Sequence, residues 1–241
     1  MYCENMTDFD FTAGSRDLTE GDFAAVLGKI KAIAFDLDGT ITDSIGNILA
    51  CTHFAFDYMN LPQPDDHNIM KTIGLELEDG ITMLLPDEQK SRGREVTAEY
   101  RRIFKEHDEF MIDTLFPDIE EVFSKIRQLG LKIGFASGRS VVGVMRTINA
   151  TFLREYCDGI CGGDEVPSKP NPRMMEVLSS RLGVSPRETL VIGDAGLDIE
   201  LGKNAQCYTL GVQTGVWSGS ALKTLQPDLL LPKVSDLIDY L

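Results

Sequence analysis

Between residues 33 and 44 the chain reads Ile-Ala-Phe-Asp-Leu-Asp-Gly-Thr-Ile-Thr-Asp-Ser, a short apolar run that ends in two carboxylates and a glycine. Residues 31–35 have the length and branched apolar character of a buried strand, and Gly39 lets the backbone turn sharply where that strand stops. Alternate residues of a strand point the same way, so Asp36 and Asp38 are placed to face one reacting group. Ligands gather at such strand ends, and two carboxylates there suit Mg²⁺ and phosphate chemistry. A calcium loop also begins Asp-x-Asp-Gly, but Ile41 stands where its glycine belongs and Asn47 where its closing glutamate belongs. An ordinary polar turn after a strand is the remaining competitor, and the rest of the chain weighs against it.

Further strand-like runs occur at 131–136, 189–192 and 207–211, with helical patterns at 119–129, 141–149 and 172–182. Strands alternating with helices predict an α/β fold built on a parallel sheet. Residues 45–115 break this rhythm: amphipathic stretches at 45–59 and 87–110 are interrupted by Pro62, Pro64, Gly74 and Pro86, with little strand character. The expected organisation is an N-terminal extension at 1–29 with a short helix at 19–28, a catalytic core at 30–44 and 116–241, and a helical insert at 45–115. Hinged near 43–45 and 115–117, that insert would cover the end of the first strand.

Charge narrows the function classes. At 241 residues, 43% hydrophobic and 25% charged, the profile is globular. A formal net charge of −15 disfavours nucleic acid and anionic membranes, both of which need basic patches. An anionic substrate would be drawn only locally, by a cation and a few amide or cationic groups. Cys3, Cys51, Cys157, Cys161 and Cys207 are scattered and odd in number, which suits a reducing, cytoplasmic setting. Cys157 and Cys161 lack a second ligand pair nearby, so small buried residues beside a strand are the better reading than zinc. No apolar run is long enough to span a bilayer.

Three later segments supply what a phosphoryl-transfer site at Asp36 would need. Ser137, in Gly-Phe-Ala-Ser-Gly-Arg, follows the 131–136 strand, where its hydroxyl and the Gly138 amide would hold phosphate oxygens near a helix N-terminus. On its own Ser-Gly after a strand is more often a turn or helix cap, and Arg139 can be read as a solvated side chain. Lys169 lies in Val-Pro-Ser-Lys-Pro-Asn-Pro, where two prolines stiffen the backbone around an ammonium. An exposed lysine in a proline turn is its bland alternative. Gly193-Asp194-Ala195-Gly196-Leu197-Asp198 follows the 189–192 strand, so Asp194 again stands at a strand end, suited to magnesium and to helix capping alike. Residues 196–204 imitate a nucleotide loop but have one residue too many and no Ser or Thr after the lysine.

Taken in order, Asp36-x-Asp38-Gly39-Thr40, Ser137, Lys169-Pro170 and Gly193-Asp194-x-x-x-Asp198 resemble the haloacid dehalogenase superfamily, in its phosphoglycolate phosphatase and β-phosphoglucomutase branch. The resemblance covers residue 31 to the C-terminus. It implies a Rossmann-like parallel sheet core with an inserted helical cap. It also implies a Mg²⁺-dependent phosphomonoester hydrolase acting on a small phosphorylated metabolite such as 2-phosphoglycolate, as a monomer or homodimer. Asp36 would be the nucleophile and become a phosphoaspartate. Asp38 would protonate the leaving alcohol and then activate water, holding its proton with the help of nearby anionic groups. Ser137, Gly138 and Lys169 would bind the phosphoryl group; Asp36, Asp194 and the Asp38 carbonyl would bind the metal; Asp198 would act from behind them. Departures at Gly138, Arg139 and Ala195, often asparagine, lysine and threonine in the family, touch positioning rather than chemistry.

The resemblance places substrate choice in the insert, where the segments 73–78 and 100–102 look like phosphoglycolate phosphatase caps. Arg101 or Arg102 would meet a substrate carboxylate there, although helix-surface arginines are commonly just solvated. His53, His67 and His107 have no part in this mechanism. A mutase would keep the same core residues, and a phosphonate hydrolase would need a cap lysine such as Lys71. A dehalogenase is disfavoured by Asp38. A non-catalytic scaffold is the reading from another class, and Asp36, Asp38, Lys169 and Asp194 argue against it.

Overall fold

Strand β1 (Ala32–Phe35) alternates small and large side chains, and that alternation organises the core of the computed structural model, which describes residues 26–107 and 114–241. Ile33 and Phe35 point to one face, where they join Phe123, Ile126, Phe135 and Leu190. Ala32 and Ala34 point to the other, where Met174, Leu178 and Leu201 approach closely. Phe35 and Phe123 bring their ring centroids to 4.8 Å, so truncating Phe123 would cost about 3–5 kcal/mol. The expected extension at 1–29, the helix at 19–28 and Cys3 lie almost wholly outside the described residues.

Six parallel strands form the sheet. They are β1, β4 (Lys132–Ser137), β5 (Gly159–Gly162), β6 (Thr189–Gly193), β7 (Tyr208–Val212) and β8 (Leu229–Leu231), in the order β5-β4-β1-β6-β7-β8. Helix α5 (Ile119–Gln128) covers one face through Val122, Phe123 and Ile126, and α8 (Arg173–Leu182) covers the other through Met174, Met175 and Leu178. Chain order runs from β1 outward through β4 to β5, then returns to β6 on the other side of β1. The crevice between β1 and β6 is therefore the switch point of the sheet, the ligand position in open α/β folds. The parallel α/β fold expected from the sequence is the one observed.

The four strands expected from the sequence appear within about a residue of their expected ends. The other two strands of this sheet were not expected. The short β5 carries two glycines and a cysteine, and the edge strand β8 is three leucines, too short to show a period.

Helices α1 (Ile45–Tyr58), α2 (Asp66–Thr72), α3 (Leu77–Leu84) and α4 (Gly93–Glu106) follow β1 and bury their own cluster around Phe56, Ile81, Val96 and Tyr100. The stretch expected at 87–110 divides into a 3₁₀ turn, Asp87–Arg92, and α4; residues 108–110 lie outside the described residues. The chain leaves and re-enters the core through two paired antiparallel strands, β2 (Thr42–Asp43) and β3 (Thr114–Leu115).

Candidate active site

The loop after β1 is tied to one carbonyl. Leu37 O accepts from the amides of Thr40, Ile41 and Thr42 at 3.2, 2.9 and 2.8 Å and from the Thr42 hydroxyl at 3.0 Å. Gly39 sits inside this turn at φ +80°, and a β-carbon there would come within 2.7 Å of Asp194 Oδ2. Glycine is required on both counts, because other residues resist that φ and would strike the neighbouring carboxylate. Strand β1 thus ends by burying Asp36 and Asp38 beside Asp194, which follows β6 across the crevice.

Lys169 enters from the loop before α8 and is fully buried. Its Nζ donates to Asp36 Oδ1 and to Asp198 Oδ1, each at 2.7 Å. Asp198 Oδ2 accepts the Ala195 amide at 3.1 Å, near the start of α9 (Gly196–Asn204). Asp194 accepts the Thr40 hydroxyl at 2.8 Å and the Val216 amide at 2.9 Å. Ligand oxygens of Asp36, Asp194 and Asp198 lie within 4.8 Å of one another.

Three buried carboxylates against this one ammonium leave surplus negative charge in a place that solvates it poorly. Burial first, then the neighbouring Asp198, pushes Asp194 up to about 7. Burial also raises Asp36, against the pull of Lys169 and with the help of Asp198, Asp194 and Asp38. The Lys169 ammonium is held charged: burial opposes it, but Asp198 and Asp36 outweigh that cost and raise its pKa. An oxygen-only donor set with excess negative charge fits a hard divalent cation such as Mg²⁺.

Asp38 lies in a different environment from the one expected. It is gripped by Arg139, whose Nε approaches both carboxylate oxygens at 3.1 and 2.9 Å and whose terminal nitrogen approaches Oδ1 at 2.5 Å. Ser44 Oγ donates to the same oxygen at 2.5 Å and makes no cap bond to α1. Burial works to raise the Asp38 pKa, but Arg139 and Ser44 prevail and hold it below the usual carboxylate range. Cationic rather than anionic neighbours therefore surround this carboxyl.

Ser137 ends β4 and Gly138 follows it toward α6 (Val141–Ala150), both buried, with Ser137 Oγ accepting the Arg139 amide at 3.2 Å. Arg139 also donates to Thr147 Oγ1 at 2.9 Å, so it is anchored rather than solvated. Asp36, Asp38, Ser137, Gly138, Lys169 and Asp194 thus all stand at the C-terminal edge of the sheet. The sequence reading missed the contacts of Thr40, Ser44 and the Val216 amide. Thr40 and Ser44 were visible within the 33–44 segment, whereas Val216 comes from a loop after β7 with no local signal. His53 lies away from this cluster, hydrogen-bonded to Gln63 and Asp66.

The sequence profile of the haloacid dehalogenase-like hydrolases matches residues 33–212. Phosphoglycolate phosphatase from Escherichia coli (strain K12) is 26% identical over 233 residues, covering 88% of this chain and 92% of the relative. The enzyme of the same name from Salmonella typhimurium is 26% identical over 236 residues, covering 89% and 94%. A haloacid dehalogenase-like family hydrolase from Streptococcus pneumoniae superposes with a TM-score of 0.75 at 22% identity, over 88% of this chain and 99% of that one. β-Phosphoglucomutase from Clostridium difficile gives a TM-score of 0.69 at 21% identity, over 86% and 93%. Spanning all four motifs and most of the sheet that assembles them, the match shows that the chain belongs to the haloacid dehalogenase-like hydrolase family.

Proposed function

We propose that this protein is a Mg²⁺-dependent phosphomonoester hydrolase that works through a phosphoaspartate on Asp36. The observation that carries the reading is Lys169 bridging Asp36 and Asp198 inside a buried carboxylate cluster at the sheet's switch point. Asp36, Asp194 and the main-chain carbonyl of Asp38 would hold Mg²⁺, with Asp198 retained by Lys169 and the Ala195 amide. The bound cation would draw charge off the phosphoryl oxygens.

In the first half-reaction an Asp36 carboxylate oxygen attacks phosphorus, the ester oxygen departs, and Asp38 gives it a proton. Ser137, the Gly138 amide and Lys169 face the transferring group and balance its charge. In the second, Asp38 takes a proton from water, which attacks phosphorus and frees Asp36. The ionised Asp38 in this structure is the form the second step needs. To serve the first it must leave Arg139 and take up a proton from solvent, and an incoming phosphoryl anion competes for that guanidinium.

The relatives' name makes 2-phosphoglycolate the first substrate to try, and no helix among the described residues is long and apolar enough to cross a membrane. Scattered cysteines, odd in number, support a cytoplasmic setting. The test is phosphate release from 4-nitrophenyl phosphate, 2-phosphoglycolate and sugar phosphates, with and without Mg²⁺, for wild type and Asp36→Asn. Metal-dependent turnover that the variant loses supports the reading; turnover that the variant keeps contradicts it.

A further inference from the structure

The helical insert is seated on the core. The loop before α3 packs against Gly138, the Glu76 amide donates to Ser168 Oγ at 3.3 Å, and Arg146 on α6 lies 4.6 Å from the ring centre of Phe104 on α4. Even so, a cavity of about 680 Å³ remains between the two parts. Its lining includes Asp38, Gly138 and Arg139, so it reaches the edge of the candidate active site. A two-carbon leaving group such as glycolate would fill only a small part of a space that falls in the middle of the range for drug-sized ligands.

The lining has two characters. Ile48, Ile73, Leu77, Ile81, Phe104 and Val142 make most of the wall apolar. Lys105, one turn from Arg101 on α4, and Arg146, well along α6 from the Ser140 cap that follows Arg139, add positive charge to the lining. Arg101 already faces Glu76 at 3.4 Å. Asp164, an acidic residue on the same wall, is turned to accept the Val141 amide at 2.8 Å.

We propose that the preferred substrate is a phosphomonoester whose leaving alcohol has an extended apolar body and an anionic far end. The phosphoryl group sits at Asp36, the body lies along Ile81 and Phe104, and the anion meets Lys105 and Arg146. This rests on the phosphatase reading and deepens it.

The experiment compares kcat/KM for 2-phosphoglycolate, hexyl phosphate and ω-carboxyhexyl phosphate in the Mg²⁺-loaded enzyme, with 4-nitrophenyl phosphate as a generic control. The two hexyl esters have leaving alcohols of nearly equal basicity, so their ratio reports binding of the carboxylate. Carboxyhexyl phosphate is expected to exceed 2-phosphoglycolate on the order of tenfold or more, from the apolar contact. Its advantage over hexyl phosphate is expected to collapse toward parity in Lys105→Met and in Arg146→Met. Lys105 is exposed, so its variant reads out even where Arg146→Met folds poorly. Equal or better turnover of 2-phosphoglycolate overturns the inference and leaves the phosphatase reading standing. A preference for long esters without a carboxylate advantage overturns the anionic end. Failure of every ester, the generic one included, overturns the phosphatase reading and the inference with it.

Discussion

Gly138 and Leu75 meet backbone to backbone across the cleft: a β-carbon on Gly138 would lie 2.2 Å from the Leu75 carbonyl oxygen. The same β-carbon would lie 2.5 Å from the Gly74 carbonyl, so no flexible side chain can yield to it. Gly138 therefore lets the insert seat beside the phosphoryl site. Gly138→Ala is expected to lower kcat/KM by about tenfold through misplaced closure, with little change in Tm. Steady-state kinetics with hydrogen exchange over residues 74–79 checks this; turnover within twofold of wild type contradicts it.

Lys169 lies between Asp36 and Asp198, and removing it leaves both carboxylates without their ammonium. Breaking a buried charge pair in this way costs about 3–5 kcal/mol. Lys169→Met is expected to lower Tm strongly in EDTA and to recover part of the loss in Mg²⁺, with turnover reduced about a hundredfold or more. Thermal melts with and without metal provide the check. A variant as stable as wild type in EDTA would mean that the bridge is not needed to hold the carboxylates.

Asp194 gives the metal-free protein a pH signature. Its pKa rises from 3.8 to about 7 because burial and then Asp198 disfavour its charge. The folded state therefore holds a proton that the unfolded chain has released, and this group's contribution to stability falls as pH climbs from about 4 to about 7. Mg²⁺ must displace that proton, so the stabilisation by Mg²⁺ is expected to be larger at pH 8 than at pH 6. Tm measured against Mg²⁺ concentration at both values tests the sign.

Much of this arrangement was legible in the sequence because it is local. The run into Asp36, the Gly39 turn and the Asp194 strand end are each written in consecutive residues, and the parallel sheet then brings them together. The surroundings of Asp38 were not legible. Its partner Arg139 stands 101 positions away, at the one place where β4 hands over to α6, and no periodicity announces an ion pair. Two glycines in β5 and the three-residue length of β8 left neither with a readable strand pattern. Cavity size and the seating of the insert on Gly138 depend on packing between distant helices, which composition does not encode.

Cys161 and Cys207 test how tightly the sheet is packed. Both are buried, and burial pushes them up to about 11 and about 12. Only thiolate reacts with alkylating agents. Iodoacetamide at pH 8 is expected to leave both unmodified in the native protein while labelling both after denaturation, as read by peptide mass spectrometry. Rapid native labelling of either would contradict the packing described for β5 and β7.

The central claim is that phosphorus becomes bonded to Asp36. The most direct measurement is to quench the Mg²⁺-loaded enzyme in acid during turnover of 4-nitrophenyl phosphate, reduce it with borohydride and sequence its peptides by mass spectrometry. An acyl phosphate is reduced to the alcohol, so the account predicts homoserine at position 36, absent without substrate. Turnover with an unaltered Asp36, or homoserine at another carboxylate instead, would contradict it.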